Sequence, residues 1–302
     1  MKLRTYAVAF AVLLASSLAL CAQQLGRPAI TGIAFARVYT TDPAAAGKFY
    51  GETLGFHKYE SGNTTIYPVN PSQWIEVVSA TPPKPNIRMA AVAFTTRDAA
   101  ALVRYLTAHG IAIELPLKDG EFGVRDPEGN LVIFVQRDSE KVVAHAPPSP
   151  VAASTRIIHV GFIVRDRAAE DTFWRGILGF KPYWYGGRAE GVIDWVSQQV
   201  PDGTDWLEYM LNGPAEPGLH QAGVMDHFSL GVEHIGDAIA ALARNGCTGP
   251  TCSASKTGRD GKIQLNLFDP DQTRVEFMEF KPSGTTCCSP ITGPAPTAKE
   301  SR

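Results

Sequence analysis

Short apolar runs with polar alternate positions recur along most of the chain, and a helical pattern follows each run. In IIHVGFIV, apolar side chains occupy every second position from Val160 to Val164, while His159 lies on the other face. This period of two is typical of a half-buried strand. Asp166 then precedes an amphipathic stretch, which is the position of a helix N-cap. Repetition of this order, with further strands after each helix, predicts an α+β fold.

The two halves of the chain resemble each other. ITGIAFARVYTTDPAAAGKFYGETLGF runs to Phe56, and RIIHVGFIVRDRAAEDTFWRGILGF runs to Phe180. Matching residues such as Asp42 and Asp166 stand 124 positions apart, so the register is fixed without gaps. Each half contains two such units. The sequence therefore predicts four modules, paired two by two.

Composition marks the boundaries between the halves. Pro, Ala and Ser at 138–155 indicate a linker between an N-terminal domain at 28–137 and a C-terminal domain at 156–281. The segment 282–302 has a similar composition, and it is predicted to be a flexible tail.

Residues 1–22 have the composition of a signal peptide. Basic Lys2 and Arg4 precede an apolar run, and small residues follow it. We expect cleavage near Ala22, export to the periplasm or secretion, and no membrane span in the mature chain. Lipid attachment at Cys21 is the alternative fate.

Export places the other cysteines in an oxidising compartment. Cys247 and Cys252 bracket the short loop CTGPTC, where a local disulfide is predicted in preference to a zinc site. Cys287 and Cys288 lie in the predicted tail. The formal net charge is -2 and no basic cluster occurs, which argues against nucleic acid as a partner.

Four potential metal ligands lie on the non-core faces of four predicted strands. They are separated by 49, 19 and 49 residues, so their spacing follows the repeat. Neutral imidazoles and carboxylates are ligands that borderline divalent metals accept. Apolar neighbours of the same parity are expected to line the cleft beside them. The ligands are His159, Glu208, His227 and Glu276, and the neighbours are Trp206, Met210 and Met278.

The modules resemble the βαβββ units of the vicinal oxygen chelate superfamily, which includes glyoxalase I, extradiol dioxygenases, fosfomycin-resistance proteins and methylmalonyl-CoA epimerases. The resemblance covers nearly the whole mature chain and implies two open barrel-like domains of two modules each. It also implies one divalent metal ion (zinc, nickel, manganese or iron) in the C-terminal domain. With Glu208 the four residues form the glyoxalase-like ligand set. Without it they form the two-histidine, one-carboxylate set of extradiol dioxygenases.

Catalytic roles follow from the same resemblance. Glu208 and Glu276 are the candidate catalytic residues, because a carboxylate that leaves the metal can move a proton. In the N-terminal half, Phe35, Ala91 and Ile133 occupy the equivalent ligand positions, and only Glu76 has a ligand-type side chain. We therefore expect that half to bind no metal in this way and to have a structural or partner-facing role.

Three functions are compatible with these residues. The four-ligand set favours a metal-dependent lyase or isomerase acting on a small molecule with vicinal oxygens, although export argues against glutathione and coenzyme A thioesters as substrates. The combination of a metal-free first domain and a metal-binding second domain favours an extradiol-like iron(II) dioxygenase. Asn266 stands where that resemblance implies a tyrosine, and Glu208 stands near an expected histidine. The third function is non-catalytic binding of a small ligand. A homodimer is compatible with all three.

Overall fold

The computed structural model describes residues 26–84, 86–137 and 149–299. It contains two eight-stranded mixed sheets, one in each half of the chain. The predicted signal peptide and residues 138–148 of the predicted linker lie outside the described residues. Within the described ranges, no helix combines the length and the apolar composition needed to cross a membrane.

Each sheet is built from two βαβββ modules, which confirms the predicted α+β fold. The first strand of a module pairs in parallel with the last strand of the same module. It also pairs antiparallel with the first strand of the other module in its sheet. The four first and last strands therefore lie side by side at the centre of each sheet, where their side chains share one face.

The first sheet has the strand order β2-β3-β4-β1-β5-β8-β7-β6. Its strands are β1 (Ile30–Thr40), β2 (Tyr59–Ser61), β3 (Thr64–Asn70), β4 (Gln73–Ser79), β5 (Met89–Thr96), β6 (Leu115–Lys118), β7 (Glu121–Arg125) and β8 (Leu131–Gln136).

The second sheet repeats that order as β10-β11-β12-β9-β13-β16-β15-β14. Its strands are β9 (Ile157–Ile163), β10 (Lys181–Gly186), β11 (Trp195–Gln199), β12 (Trp206–Met210), β13 (His227–Val232), β14 (Lys256–Thr257), β15 (Ile263–Phe268) and β16 (Arg274–Glu279).

One helix follows the first strand of each module, and a further helix lies between the two modules of the second half. Asp42 and Asp166 act as the predicted N-caps, because each side chain accepts a hydrogen bond from a backbone N–H three residues later. The helices are α1 (Pro43–Ala46, continuing as a π-helix over Gly47–Thr53), α2 (Ala99–Ala108), α3 (Arg167–Asp171, continuing as a π-helix over Thr172–Ile177), α4 (Leu219–Met225) and α5 (Ile235–Arg244), and a 3₁₀ turn covers Pro250–Cys252.

One apolar core runs through both halves. It contains the strand faces that carry Val160 and Phe162, as the alternation predicted, and it crosses between the halves where Phe94 meets Trp174 at a ring-centroid distance of 5.4 Å. The opposite face of each sheet has its own smaller cluster of side chains. We call that face the inner face, and the candidate ligands lie on it in the second sheet.

Buried polar groups join the two sheets. The Gln73 amide nitrogen donates to the carbonyls of Ile33 (3.1 Å) and Ile157 (2.9 Å), and its oxygen accepts from the Ile157 N–H. Asp205 accepts from the Ile33 N–H at 2.9 Å and pairs with Arg156 at 2.5 Å. Buried groups of this kind are costly to leave unpaired, so these contacts hold the halves in one arrangement.

The segment 283–299 lies along the second half, which the prediction of a flexible tail did not anticipate. The Trp184 indole N–H donates to the Cys287 carbonyl at 3.0 Å, and Arg156 donates to the Lys299 carbonyl at 3.0 Å. Proline lacks a backbone donor but keeps its carbonyl, so a Pro- and Ser-rich segment can still accept hydrogen bonds from a sheet. We call this segment the C-terminal strap.

Two disulfides are present among the described residues. Cys247 is bonded to Cys252, which confirms the predicted local bridge. Cys287 is bonded to its neighbour Cys288 within the C-terminal strap.

Candidate metal centre

Three of the four predicted ligands converge on the inner face of the second sheet. His159 lies in β9, His227 begins β13 and Glu276 lies in β16, and these three strands are neighbours. One donor atom from each lies within 4.8 Å of the other two. The His159 Nε2 atom is 3.0 Å from His227 Nε2 and 3.1 Å from Glu276 Oε2. All three side chains are buried.

The surroundings set the protonation of this cluster. His227 Nδ1 lies 2.9 Å from the Met225 carbonyl oxygen, which can only accept, so Nδ1 carries the proton and Nε2 offers a lone pair. Burial, reinforced by the Arg274 charge, lowers the pKa of His227 to about 4. Burial opposes ionisation of Glu276, but the Arg274 charge and the contact with His159 outweigh it and bring the pKa of Glu276 to about 2. At neutral pH the cluster therefore presents a neutral imidazole and a carboxylate.

The donor atoms are spaced as ligands of one ion. Donors bound at about 2.1 Å lie about 3.0 Å apart when their bonds meet at right angles and about 3.4 Å apart in a tetrahedral site, and the two separations here are 3.0 and 3.1 Å. Within the described part of the chain, His159 Nδ1 is buried without a hydrogen-bond partner. A proton on His159 Nε2 can be donated to His227 or to Glu276 but not fully to both. The residues therefore fit a divalent ion better than they satisfy one another.

Glu208 lies beside this cluster and is not one of its three members. Its Oε2 atom is 3.5 Å from His227 Nε2, and its side chain is 13% exposed, compared with 3% for Glu276. In the sheet Glu208 pairs with Gly161. The structure thus brings together three of the four predicted ligands and leaves the fourth at the cavity side of the cluster, within reach of His227.

An exchange of large and small residues between two strands distinguishes the halves. In the second half Gly161 pairs with His227, and the imidazole lies over the glycine. The equivalent pair in the first half is Arg37 with Ala91, so the large side chain comes from the other strand. Arg37 there forms a salt bridge with Glu76 at 2.5 Å. The one ligand-type carboxylate of the first half is therefore neutralised by a neighbouring guanidinium.

The rest of the inner face of the first half is filled by apolar side chains. Phe35, in the position of His159, packs on Trp74 at a ring-centroid distance of 5.0 Å, just as His159 packs on Trp206 at 4.8 Å. The aromatic partner is kept while the ligand is replaced. The apolar residues on this face are Ala34, Phe35, Trp74, Ala91, Ala93, Ile133 and Val135.

A cavity of about 280 Å³ opens beside the three candidate ligands. It contains the three predicted apolar neighbours Trp206, Met210 and Met278. Further aromatic walls come from Tyr183, Trp184 and Trp195, and its charged residues are Glu208, Asp260, Glu276, Lys256, Arg259, Lys262 and Arg274.

Sequence reasoning missed Arg274 and Lys262. The signal for Arg274 was present, because it stands two positions before Glu276 in β16 and so shares its face. Lys262 stands just before β15. Asn266 in that strand pairs with Glu276, which lines the cavity, so the even-numbered residues of β15 and Lys262 share the cavity face. Neither arginine nor lysine is a usual metal ligand, so neither residue was predicted as part of the site.

The solved structures that resemble this chain include ring-cleaving dioxygenases. An extradiol ring-cleaving dioxygenase from B. fuscum matches with a TM-score of 0.62 and 20% identity, covering 87% of this chain and 76% of the other. The homoprotocatechuate 2,3-dioxygenase of Brevibacterium fuscum, in complex with 3,4-dihydroxyphenylacetate, matches at 0.58 and 20%, covering 84% and 82%. The enzyme of the same name from Arthrobacter globiformis matches at 0.58 and 20%, covering 85% and 81%. At such identity the likeness concerns the fold.

Comparison with curated protein sequences gives no match. Comparison with family descriptions matches residues 32–134 and 156–277, which together are most of the chain and correspond to its two repeats. The chain belongs to the Glyoxalase/Bleomycin resistance protein/Dioxygenase superfamily.

Proposed function

We propose that the second half binds one divalent metal ion through His159, His227 and Glu276, and that the protein is an enzyme acting on a small molecule with two adjacent oxygens. The observation that carries the proposal is the convergence of three buried donors at ligand spacing. A divalent ion held there supplies Lewis-acid polarisation of those oxygens. The neighbouring cavity, about 280 Å³, is at the small end of ligand pockets and suits a small molecule.

Proton transfer is the chemistry that the chain's own residues favour. Glu208 lines the cavity and lies beside the cluster, 3.5 Å from His227 Nε2. A carboxylate in this place can remove a proton from a carbon next to a polarised oxygen and return it elsewhere. Lyases and isomerases catalyse reactions of this kind, and Glu208 is the general base of the reaction proposed here.

Ring cleavage by an iron(II) dioxygenase is the second candidate. The two-histidine, one-carboxylate cluster and the fold of the ring-cleaving enzymes named above favour it. Asn266 is paired with Glu276 across β15 and β16 and cannot transfer a proton as a tyrosine would. Tyr183 is an available substitute, because it lines the cavity and its hydroxyl has no hydrogen-bond partner in the described ranges.

Metal analysis combined with two assays tests this proposal. We expect about one equivalent of divalent metal in protein purified without chelator, and its loss in His227→Ala. Solvent-deuterium incorporation into α-hydroxyketones, followed by mass spectrometry, reports proton transfer. Oxygen uptake with catechols on the iron(II)-loaded protein reports ring cleavage.

The outcomes separate the alternatives. Deuterium incorporation that requires Glu208 supports the lyase or isomerase, and oxygen uptake with ring-opened product supports the dioxygenase. A protein that takes up no metal even after reconstitution contradicts both enzymatic functions. Metal and ligand binding with neither reaction leaves a non-catalytic binding protein.

A further inference from the structure

A buried lysine in the cavity wall contacts aromatic rings but has no hydrogen-bond partner among the described residues. Lys262 is 1% exposed, and its Nζ atom makes no hydrogen bond with any residue in the described part of the chain. Nor is it close enough to a described carboxylate for an ion pair. The Nζ atom lies 4.2 Å from the ring centroid of Trp206 and 5.6 Å from the ring centroid of Tyr183. Burying an ammonium without a hydrogen-bond acceptor is costly, so its presence calls for a function.

Lys262 and the candidate ligand His159 both contact the indole of Trp206. Trp206 packs on His159 at 4.8 Å and carries the Lys262 ammonium at 4.2 Å, so these two distances limit the ammonium to within about 9 Å of the His159 ring. A small molecule in the cavity can span that length. Rotation about the four-carbon stem of the lysine brings its donors to an acceptor in the cavity.

We propose that Lys262 binds a carboxylate on the small molecule that occupies this cavity. The molecule would then bear two adjacent oxygens at one end and a carboxylate at the other. The inference rests on the proposed function for the first end of the molecule only. A carboxylate carries one negative charge, which the single charge of the Lys262 ammonium balances, and charge-assisted hydrogen bonds of this kind are short and strong.

The balance of charge in the cavity agrees with an anionic ligand. Burial lowers the pKa of Lys262 to about 8, and the carboxylates of Asp260, Glu276 and Glu208 oppose that fall, so the ammonium is largely protonated at pH 7. Basic side chains outnumber acidic ones in the wall by four to three, before any divalent ion is counted. They are Lys256, Arg259, Lys262 and Arg274 against Glu208, Asp260 and Glu276.

Calorimetric titration with two matched probes tests the role of Lys262. The probes are 3,4-dihydroxybenzoate and catechol, which share the ring and the adjacent oxygens and differ in the carboxylate. Each is titrated into the wild type, Lys262→Met and the control Lys281→Met, which removes an exposed lysine of the same half that does not line the cavity. Zinc-loaded and metal-free protein are compared, because zinc is redox-inert.

We expect Lys262→Met to weaken binding of 3,4-dihydroxybenzoate by about 10- to 100-fold and to change catechol binding by less than about threefold. Lys281→Met should change neither by more than about threefold. Lys262→Met should also unfold at a temperature no lower than the wild type, since it removes an unpaired buried charge. That measurement shows that lost binding is not lost folding.

Other outcomes overturn the inference. Equal losses for both probes, no preference of the wild type for the carboxylate, or no binding of either probe in the millimolar range would each contradict it. Failure of the proposed metal function looks different. In that case catechol affinity would not respond to zinc, while discrimination between the probes would still depend on Lys262.

Discussion

Gly161→Ala should destroy the proposed metal site without altering any of its three proposed ligands. Gly161 pairs with His227, and a methyl group at Gly161 would lie 2.7 Å from Nδ1 and 3.0 Å from Nε2 of that imidazole, with Cε1 closer still. Non-bonded heavy atoms prefer separations of about 3.5–4.0 Å, so the ring must retreat by about 1 Å. A metal site tolerates errors of only about 0.2 Å in its bond lengths. His227 would therefore leave the position in which its Nε2 meets His159 and Glu276.

The expected loss of metal affinity is large. Changing a residue that merely supports a ligand costs about 10- to 100-fold in affinity, and displacing the ligand itself should cost at least about 100-fold. Zinc titration against a competing chromophoric chelator measures this loss directly. Overpacking should also lower stability by about 1–3 kcal/mol, which a denaturant titration measures.

Gly176→Ala is the matched control in the same half. Its added methyl group would have no neighbour nearer than 4.0 Å, at the Asp171 carbonyl, so zinc affinity should be unchanged. The steric reasoning is refuted if folded Gly161→Ala binds zinc as tightly as the wild type.

Further predictions concern three carboxylates. Glu208→Gln should weaken zinc binding by less than about tenfold yet slow solvent-deuterium incorporation by about 100-fold or more, and losses of equal size would contradict its role as a base. Burial and the neighbouring Asp126 charge raise the pKa of Glu170 from 4.5 to about 8. Between about pH 4.5 and about pH 8 the folded state therefore binds more protons than the unfolded state. The stability that protonated Glu170 contributes is full below about pH 4.5 and is lost as the pH rises towards about 8. Glu170→Gln should remove a part of that decline, on the order of 1–3 kcal/mol, in denaturant titrations across pH, and an unchanged slope would refute the assignment. Asp205→Ala should lower the free energy of unfolding by about 3–5 kcal/mol, because it leaves Arg156 buried without its charge partner, and a loss below about 1 kcal/mol would contradict that account.

Strand alternation, the internal repeat and the family resemblance together predicted the fold, and alternation predicted the face on which the candidate ligands lie. His159, His227 and Glu276 could be assigned to one face because strands keep a strict period of two, and the repeat identified the corresponding strands. What alternation cannot give is distance. Glu208 has the correct parity, yet it is farther from the cluster centre than the other three, because its approach depends on side-chain length and rotamer.

Contacts between distant segments were beyond the sequence pattern. The clearance that Gly161 gives to His227 depends on pairing between two strands, and a glycine within a strand can equally mark a bulge or a tight bend. Lys262 could be placed on the correct face, but its lack of a partner is visible only when every neighbour is known. The C-terminal strap was misjudged for the same reason, since its order comes from tertiary hydrogen bonds and not from local propensity.

The C-terminal strap is the last part of the cavity wall to be synthesised. Ile291 contributes to the cavity wall, and Arg156, just ahead of β9, is bonded to the carbonyl of Lys299. During synthesis the strands of both sheets emerge before either strap residue, because the last strand, β16, ends at Glu279. The half that carries the candidate ligands can therefore complete its cavity wall only after the strap has been synthesised.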